Sequence, residues 1–186
     1  MSFADKPVYD FHERMQASKP YEDRLMGLLE SMPEVERVER ASYDDDKNKG
    51  IDLWIYPTNG TQPIAMQVKT DFNTNRTGNI TFETVSQAYT DKAGKVGWGL
   101  TLDHADRIAF IVPKWDVAYI FHSDQYVRWC LENYKELIPK SVKNEGYLTL
   151  ISLVPLKDVA GMGIEYKLPP LMCNEEKQKE FQMARI

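Results

Sequence analysis

The chain has 186 residues and a mass of 21.5 kDa, room for one medium domain with a sizeable core and too little for two full ones. Hydrophobic residues make up 42% and charged residues 27%, which excludes a disordered or fibrous chain. A net charge of -5 gives no global attraction to nucleic acid, so any such binding must rest on a local basic patch or on bound cations.

Pro20 followed by YEDRLMGLLESM predicts a helix, with Tyr21, Leu25, Leu28 and Leu29 at helical spacing and acidic residues in the first turn, ending near Met32-Pro33. VERVERA fits a short edge strand. DDDKNKG is expected to be a loop leading into the strand IDLWIY, which ends at the turn signal Pro57-Thr58-Asn59-Gly60. That turn predicts a hairpin whose return strand is IAMQVKT. Strand side chains alternate, so Ile64, Met66 and Val68 share one face while Ala65, Gln67, Lys69 and then Asp71 share the other. A polar loop, NTNRTG, precedes the strand NITFETV; a short helix and a loop holding Gly97-Trp98-Gly99 follow. RIAFIV and VAYIF are two more strands joined around Lys114-Trp115-Asp116. Asp124 can cap a helix running to about Leu137, with Val127, Cys130, Leu131 and Tyr134 at core spacing. YLTLISLV is a strand, Leu156 to Val159 a turn of helix, and NEEKQKEFQMARI an exposed charged helix. The sum is an α/β or α+β sandwich in which a mixed sheet is flanked by helices.

No apolar run approaches the roughly 20 residues of a membrane helix, and MSFADKPVYDFHERMQ lacks the apolar core of a secretory signal, so a cytoplasmic protein is expected. Cys130 and Cys173 are far apart and in no CxxC pair, which argues against a zinc site or a disulfide framework.

The informative constellation is Glu22 on the first helix, Asp52 at the start of one strand of the hairpin, and Gln67 with Lys69 on the other. Phosphodiester hydrolysis needs a divalent cation to neutralise phosphate charge and acidify a water, and hard cations such as magnesium prefer oxygen ligands. Asp52 supplies a carboxylate, Gln67 an amide oxygen and Val68 a main-chain carbonyl, while Lys69 is placed to orient water or to stabilise charge growing on the phosphate.

The segments YEDRLMGLLE, NKGIDLWIY and IAMQVKTD resemble the PD-(D/E)xK nuclease superfamily: a helix carrying an acid, a strand beginning with Asp, then a strand carrying (D/E)xK. The Gly50-Ile51-Asp52 form is similar to that of archaeal Holliday-junction resolvases and phage-type members, and FETVS and GWG are similar to segments of small nuclease-like proteins. The resemblance covers residues 20 to 120 or so of a single domain spanning 1–186, with a charged tail over about 174–186. It implies a restriction-endonuclease-like core and a magnesium- or manganese-dependent nuclease. DNA is the implied partner, with RNA as the alternative, and a homodimer is compatible with it. Catalysis falls to Glu22, Asp52, Gln67 and Lys69, and metal ligation to Asp52, Gln67, Val68 and Glu22. Two departures stand out. Ile51 occupies the usual Pro position, and Gln67 replaces the usual acid, an amide that binds a cation less strongly and cannot act as a base. Glu22, Asp71 or Glu83 can supply the missing charge, Glu22 fitting the family's helical acid best.

Blander readings stand beside these. Asp52 and Lys69 can form a cross-strand salt bridge, and Glu22 can simply favour a helix N-terminus, with Asp23 as the ligand instead if the helix face differs. Asp44-Asp45-Asp46 lacks the Gly and downstream Glu of a calcium loop and reads as solvated. His12, His104 and His122 are dispersed, and Ser86 has no triad partner, so capping the following helix or touching a phosphate suits it better than attack. Trp98 reads as a loop anchor rather than a base-stacking platform. Lys47, Lys49, Arg76, Lys92 and Lys95 suit either a phosphate backbone or solvent. The alternatives to an active nuclease are a catalytically inactive nuclease-fold protein that binds nucleic acid, and an assembly or interaction protein using its aromatic C-terminal half.

Overall fold

The computed structural model describes residues 11–88, 94–100, 105–144 and 147–170. The expected charged tail, Cys173, Lys92, His104, the side chain of His12 and most of the short helix expected before Gly97 lie outside them. In chain order the elements are α1 (Phe11–Glu30), β1 (Val35–Arg40), α2 (Tyr43–Lys49), β2 (Leu53–Pro57), β3 (Ile64–Thr70), α3 (Thr74–Thr77), β4 (Asn79–Ala88), β5 (Lys95–Val96), β6 (Arg107–Val112), β7 (Val117–His122), α4 (Ser123–Glu132), β8 (Ile138–Asn144), β9 (Tyr147–Pro155), α5 (Leu156–Val159) and β10 (Ile164–Lys167).

Among the described residues the strands form two sheets, and the architecture is mixed α/β. The larger sheet has six strands in the order β1-β2-β3-β6-β7-β10 and is mixed, because β3 and β6 run parallel while its other neighbours are antiparallel. The smaller, in the order β5-β4-β9-β8, is antiparallel throughout. A second sheet is a departure from the single sheet expected. It arises because β4 does not join the hairpin before it but pairs with β9, far along the chain.

The alternation of β3 explains the layering. Met66 and Val68 pack with Leu53, Ile55, Ala109 and Ile111 against Leu25 and Leu29 of α1. The opposite face of the large sheet, carrying Ile108, Phe110, Val117 and Phe121, packs against Ile80, Phe82 and Val154 of the second sheet and against Tyr126 and Cys130 of α4. β6 is therefore apolar on both faces, which is why RIAFIV is an unbroken hydrophobic run rather than an alternating one.

Three local expectations are corrected. The first helix does not begin at Pro20 but nine residues earlier, at Phe11, and Pro20 sits inside it. Proline forfeits one intrahelical bond, but the helix is anchored by its buried second half, while exposed residues 13–17 carry no core periodicity from which a helix is readable. The DDDKNKG segment is not a loop: Ser42 accepts a hydrogen bond from the Asp45 N–H at its start, three acids occupy the first turn, and Gly50 ends it at φ 65. The helix expected at Asp124 to Leu137 starts at Ser123 with His122 in the cap position and stops at Glu132, followed by a short 3-10 turn and then β8.

The hairpin is as the turn signal predicts. Asn59 Oδ1 accepts from the Thr61 N–H and hydroxyl, Gly60 adopts φ 70, and the strands pair with Leu53 opposite Met66.

Candidate functional site

The hairpin's pairing sets the site. The Asp52 N–H donates to the Met66 carbonyl just beyond the paired residues, which brings Asp52 opposite Gln67. The Asp52 carboxylate then accepts from the Val68 N–H at 2.6 Å. Main-chain N–H and C=O of one strand residue point to the same side, so the Val68 carbonyl also faces the Asp52 end of the hairpin. Burial pushes the Asp52 carboxyl from its ordinary 3.8 up to about 6; Lys69 and the Val68 N–H pull it down, while Asp46 and Glu22 push it up. The field at Asp52 thus contains Lys69 and Glu22 together.

Gln67 is 3% exposed, and its Oε1 has no hydrogen-bond partner among the described residues. A buried amide oxygen left without a donor is costly. The other end of that amide lies against Gly50: a Cβ there would fall 2.9 Å from Nε2. Gly50 thus serves both the left-handed end of α2 and the close approach of Gln67.

Lys69 shares the face of Gln67, away from α1. Its ammonium lies 5.3 Å from the centre of the Trp98 ring. It makes no ion pair with Asp52, so the simple cross-strand salt bridge is not formed.

Glu22 is brought near Asp52 but is otherwise engaged. It rides on α1, over the other face of the sheet, where Oε1 accepts from the Ser18 hydroxyl at 2.9 Å and Oε2 from Arg40 at 3.2 Å. Arg40 also holds Asp23 at 2.8 Å. Asp71 is spent locally, accepting from the N–H groups of Asn73 and Thr74. Glu83 is the acid that the fold delivers to Lys69. Burial raises its carboxyl, and Lys69, the Trp98 N–H and the Ser86 side chain lower it. No spacing in the sequence reveals this contact, because it depends on how β4 and the Gly97-Trp98-Gly99 turn pack over β3.

The remaining candidates disperse. Lys49 pairs with Asp45 at 2.7 Å, Lys47 lies over the Tyr43 ring, and Arg76 and Lys95 are exposed. Trp98 packs against Phe82 and Phe110, as an anchor does. His122 lines a cleft of about 600 Å³ with Asp106, Arg107, Ser123, Asp124 and Arg128, among others; none of Asp52, Gln67 and Lys69 lines it.

For a divalent cation the donors fit in part. A carboxylate, an unpartnered amide oxygen and a main-chain carbonyl are hard oxygen ligands of the right kind. Among the described residues, however, no group of three or more His, Cys, Asp or Glu side chains is placed to hold a metal, so the set depends on Gln67 and Val68. Among the described residues, no helix is long and apolar enough to cross a membrane. No family model, no curated protein and no solved structure matches this chain.

Proposed function

We propose that the protein is a cytoplasmic, metal-dependent nuclease that hydrolyses phosphodiester bonds of DNA, built on a restriction-endonuclease-like core. The observation that carries this reading is the orphaned Gln67 Oε1 on the strand residue across the hairpin from Asp52, whose carboxyl is raised by burial, with Lys69 on the same strand face as Gln67. The larger sheet supports it: an acid-bearing helix precedes the antiparallel strands β1, β2 and β3, and β6 lies parallel to β3.

Asp52, Gln67 Oε1 and the Val68 carbonyl are the groups to hold magnesium or manganese, with Glu22 joining if it leaves Arg40. When bound, the ion supplies neutralisation of phosphate charge and an acidified water. The chain's own residues do the rest. Asp52 contributes negative charge once ionised, and Gln67 contributes an oxygen without charge. Lys69 has three donors for a water or a phosphoryl oxygen. Burial of Gln67 and partial burial of Asp52 lower the local dielectric, which strengthens each of these interactions.

The test is magnesium- or manganese-dependent cleavage of linear and branched DNA by the full chain. Asp52→Ala and Lys69→Ala are each expected to lower the rate at least ~100-fold, with an unchanged far-ultraviolet spectrum. Cleavage by either variant at the rate of the unsubstituted chain removes the mechanism.

Gln67 favours a second reading, a nuclease-fold protein that binds nucleic acid without cutting it. This reading expects salt-sensitive DNA binding and no metal affinity by calorimetry at millimolar concentration. An assembly protein or homodimer built on the same fold expects neither DNA binding nor metal affinity.

A further inference from the structure

Lys69 interacts with two acids that come from different layers. Asp52 belongs to the hairpin of the large sheet, and Glu83 to β4 of the small one; both act on Lys69 electrostatically, yet its ammonium forms no ion pair with either. Trp98 lies under the ammonium. An ammonium facing a single desolvated carboxylate closes onto it unless something competes.

The competitor is firmly built. A Cβ at Gly97 would fall 2.5 Å from the Glu83 carbonyl oxygen, and one at Gly99 would fall 2.6 Å from it, so the turn lies directly on the Glu83 main chain. The Trp98 ring is wedged against Phe82 and Phe110, with centroids 6.5 and 6.1 Å away. The Trp98 main-chain N–H and the Ser86 side chain both bond the Glu83 carboxylate. The carboxylate is thus tied to the main chain of the residue whose ring carries the ammonium.

We propose that Glu83 is the positioning residue of Lys69: its carboxylate, fixed by Trp98 and Ser86, draws the ammonium over the indole ring and keeps it beside Asp52 but out of an ion pair with it. Kept so, the ammonium retains its donors for a ligand, and Asp52 remains open to a cation. The placement is independent of any activity; its catalytic consequence rests on the nuclease reading.

Lysine side-chain resonances of the metal-free protein test the placement, with those of Lys69 assigned by their loss in Lys69→Ala. In the unsubstituted chain the Lys69 Hε signals are expected upfield of free lysine because of the Trp98 ring. Glu83→Gln moves them toward free lysine, Glu83→Asp restores most of the shift, and Ser86→Ala gives a smaller movement in the same direction. Ser86→Ala carries the test alone should Glu83→Gln fail to fold. Lys69 signals unmoved in every folded variant of the series overturn the proposal. Where the chain cleaves DNA, Glu83→Gln lowers kcat about tenfold with KM changed less than about twofold. Full activity together with unmoved signals sinks the proposal and leaves the nuclease reading intact. Shifted signals in a chain that cleaves nothing sink the nuclease reading and uphold the placement.

Discussion

Burial raises the Asp52 carboxyl to about 6 from its ordinary 3.8, and the sign of the consequence follows. Between those two values the folded chain holds a proton that the unfolded chain has released, so the Asp52 contribution to stability falls as pH rises through this window. The destabilisation is absent below the lower value and complete above the upper one. Asp52→Asn keeps an oxygen for the Val68 N–H and removes the buried charge. It is expected to stabilise the chelator-treated protein by about 1–2 kcal/mol at pH 8 and by nothing measurable at pH 3.5, read from urea unfolding at both. An equal effect at the two pH values would assign the gain to packing instead. A residue kept charged at a cost to folding is what a site, rather than a scaffold, is expected to contain. Glu22 contrasts with it, since its two oxygens are satisfied by Ser18 and Arg40. Arg40→Ala therefore frees Glu22, and the measurable result is tighter manganese binding in calorimetry if that acid belongs to the ligand set.

At the level of the element, α2 and its glycine end decide how closely the second strand of the hairpin approaches. Gly50 and Gly60 both adopt positive φ, 65 and 70. A Cβ at Gly60 meets nothing within 4 Å, whereas one at Gly50 meets the Gln67 amide. Gly60→Ala is thus expected to cost about 1–2 kcal/mol for the left-handed backbone alone. Gly50→Ala should cost more, and it alone should displace Gln67 and weaken cation binding. Identical melting temperatures for the two variants would show that the Gly50–Gln67 contact is immaterial. Ser42 holds the other end of α2, and Ser42→Ala is expected to cost about 0.5–2 kcal/mol through the lost cap. The hairpin itself is legible in the sequence, because a Pro-Thr-Asn-Gly turn between an apolar run and an alternating one specifies their pairing. The α2 helix is less so: it buries no residue, so no apolar periodicity marks it, and only its caps distinguish it from a polar loop.

For the whole molecule, the core between the two sheets carries the fold. Phe110 is fully buried and touches Trp98, Phe121 and Tyr126. Phe110→Ala is expected to cost about 3–5 kcal/mol, a large share of a domain's typical stability of ~5–15 kcal/mol. Ile138→Ala, at a residue 60% exposed on β8, should change stability by no more than ~0.5 kcal/mol. Denaturant midpoints compare the two, and a similar loss in both would place the core elsewhere. The tail end of the described chain is tied down by Arg24, buried on α1, which pairs with Asp116 at 2.7 Å and donates to the Pro169 carbonyl. Of all this, the amino-acid order by itself determined the α/β class, the hairpin, and the shared face of Gln67 and Lys69, because those depend on a period of two and a turn signal within twenty residues of one another. Strands β8 and β10 escaped it, since IPKSVKN and IEYK lie largely in solvent and have no buried face to impose alternation. Only the tertiary structure decided that the second sheet exists, that Glu22 turns to Arg40, and that Glu83 and Trp98 meet Lys69. Those contacts join segments distant along the chain, and they form only once two apolar faces have found each other.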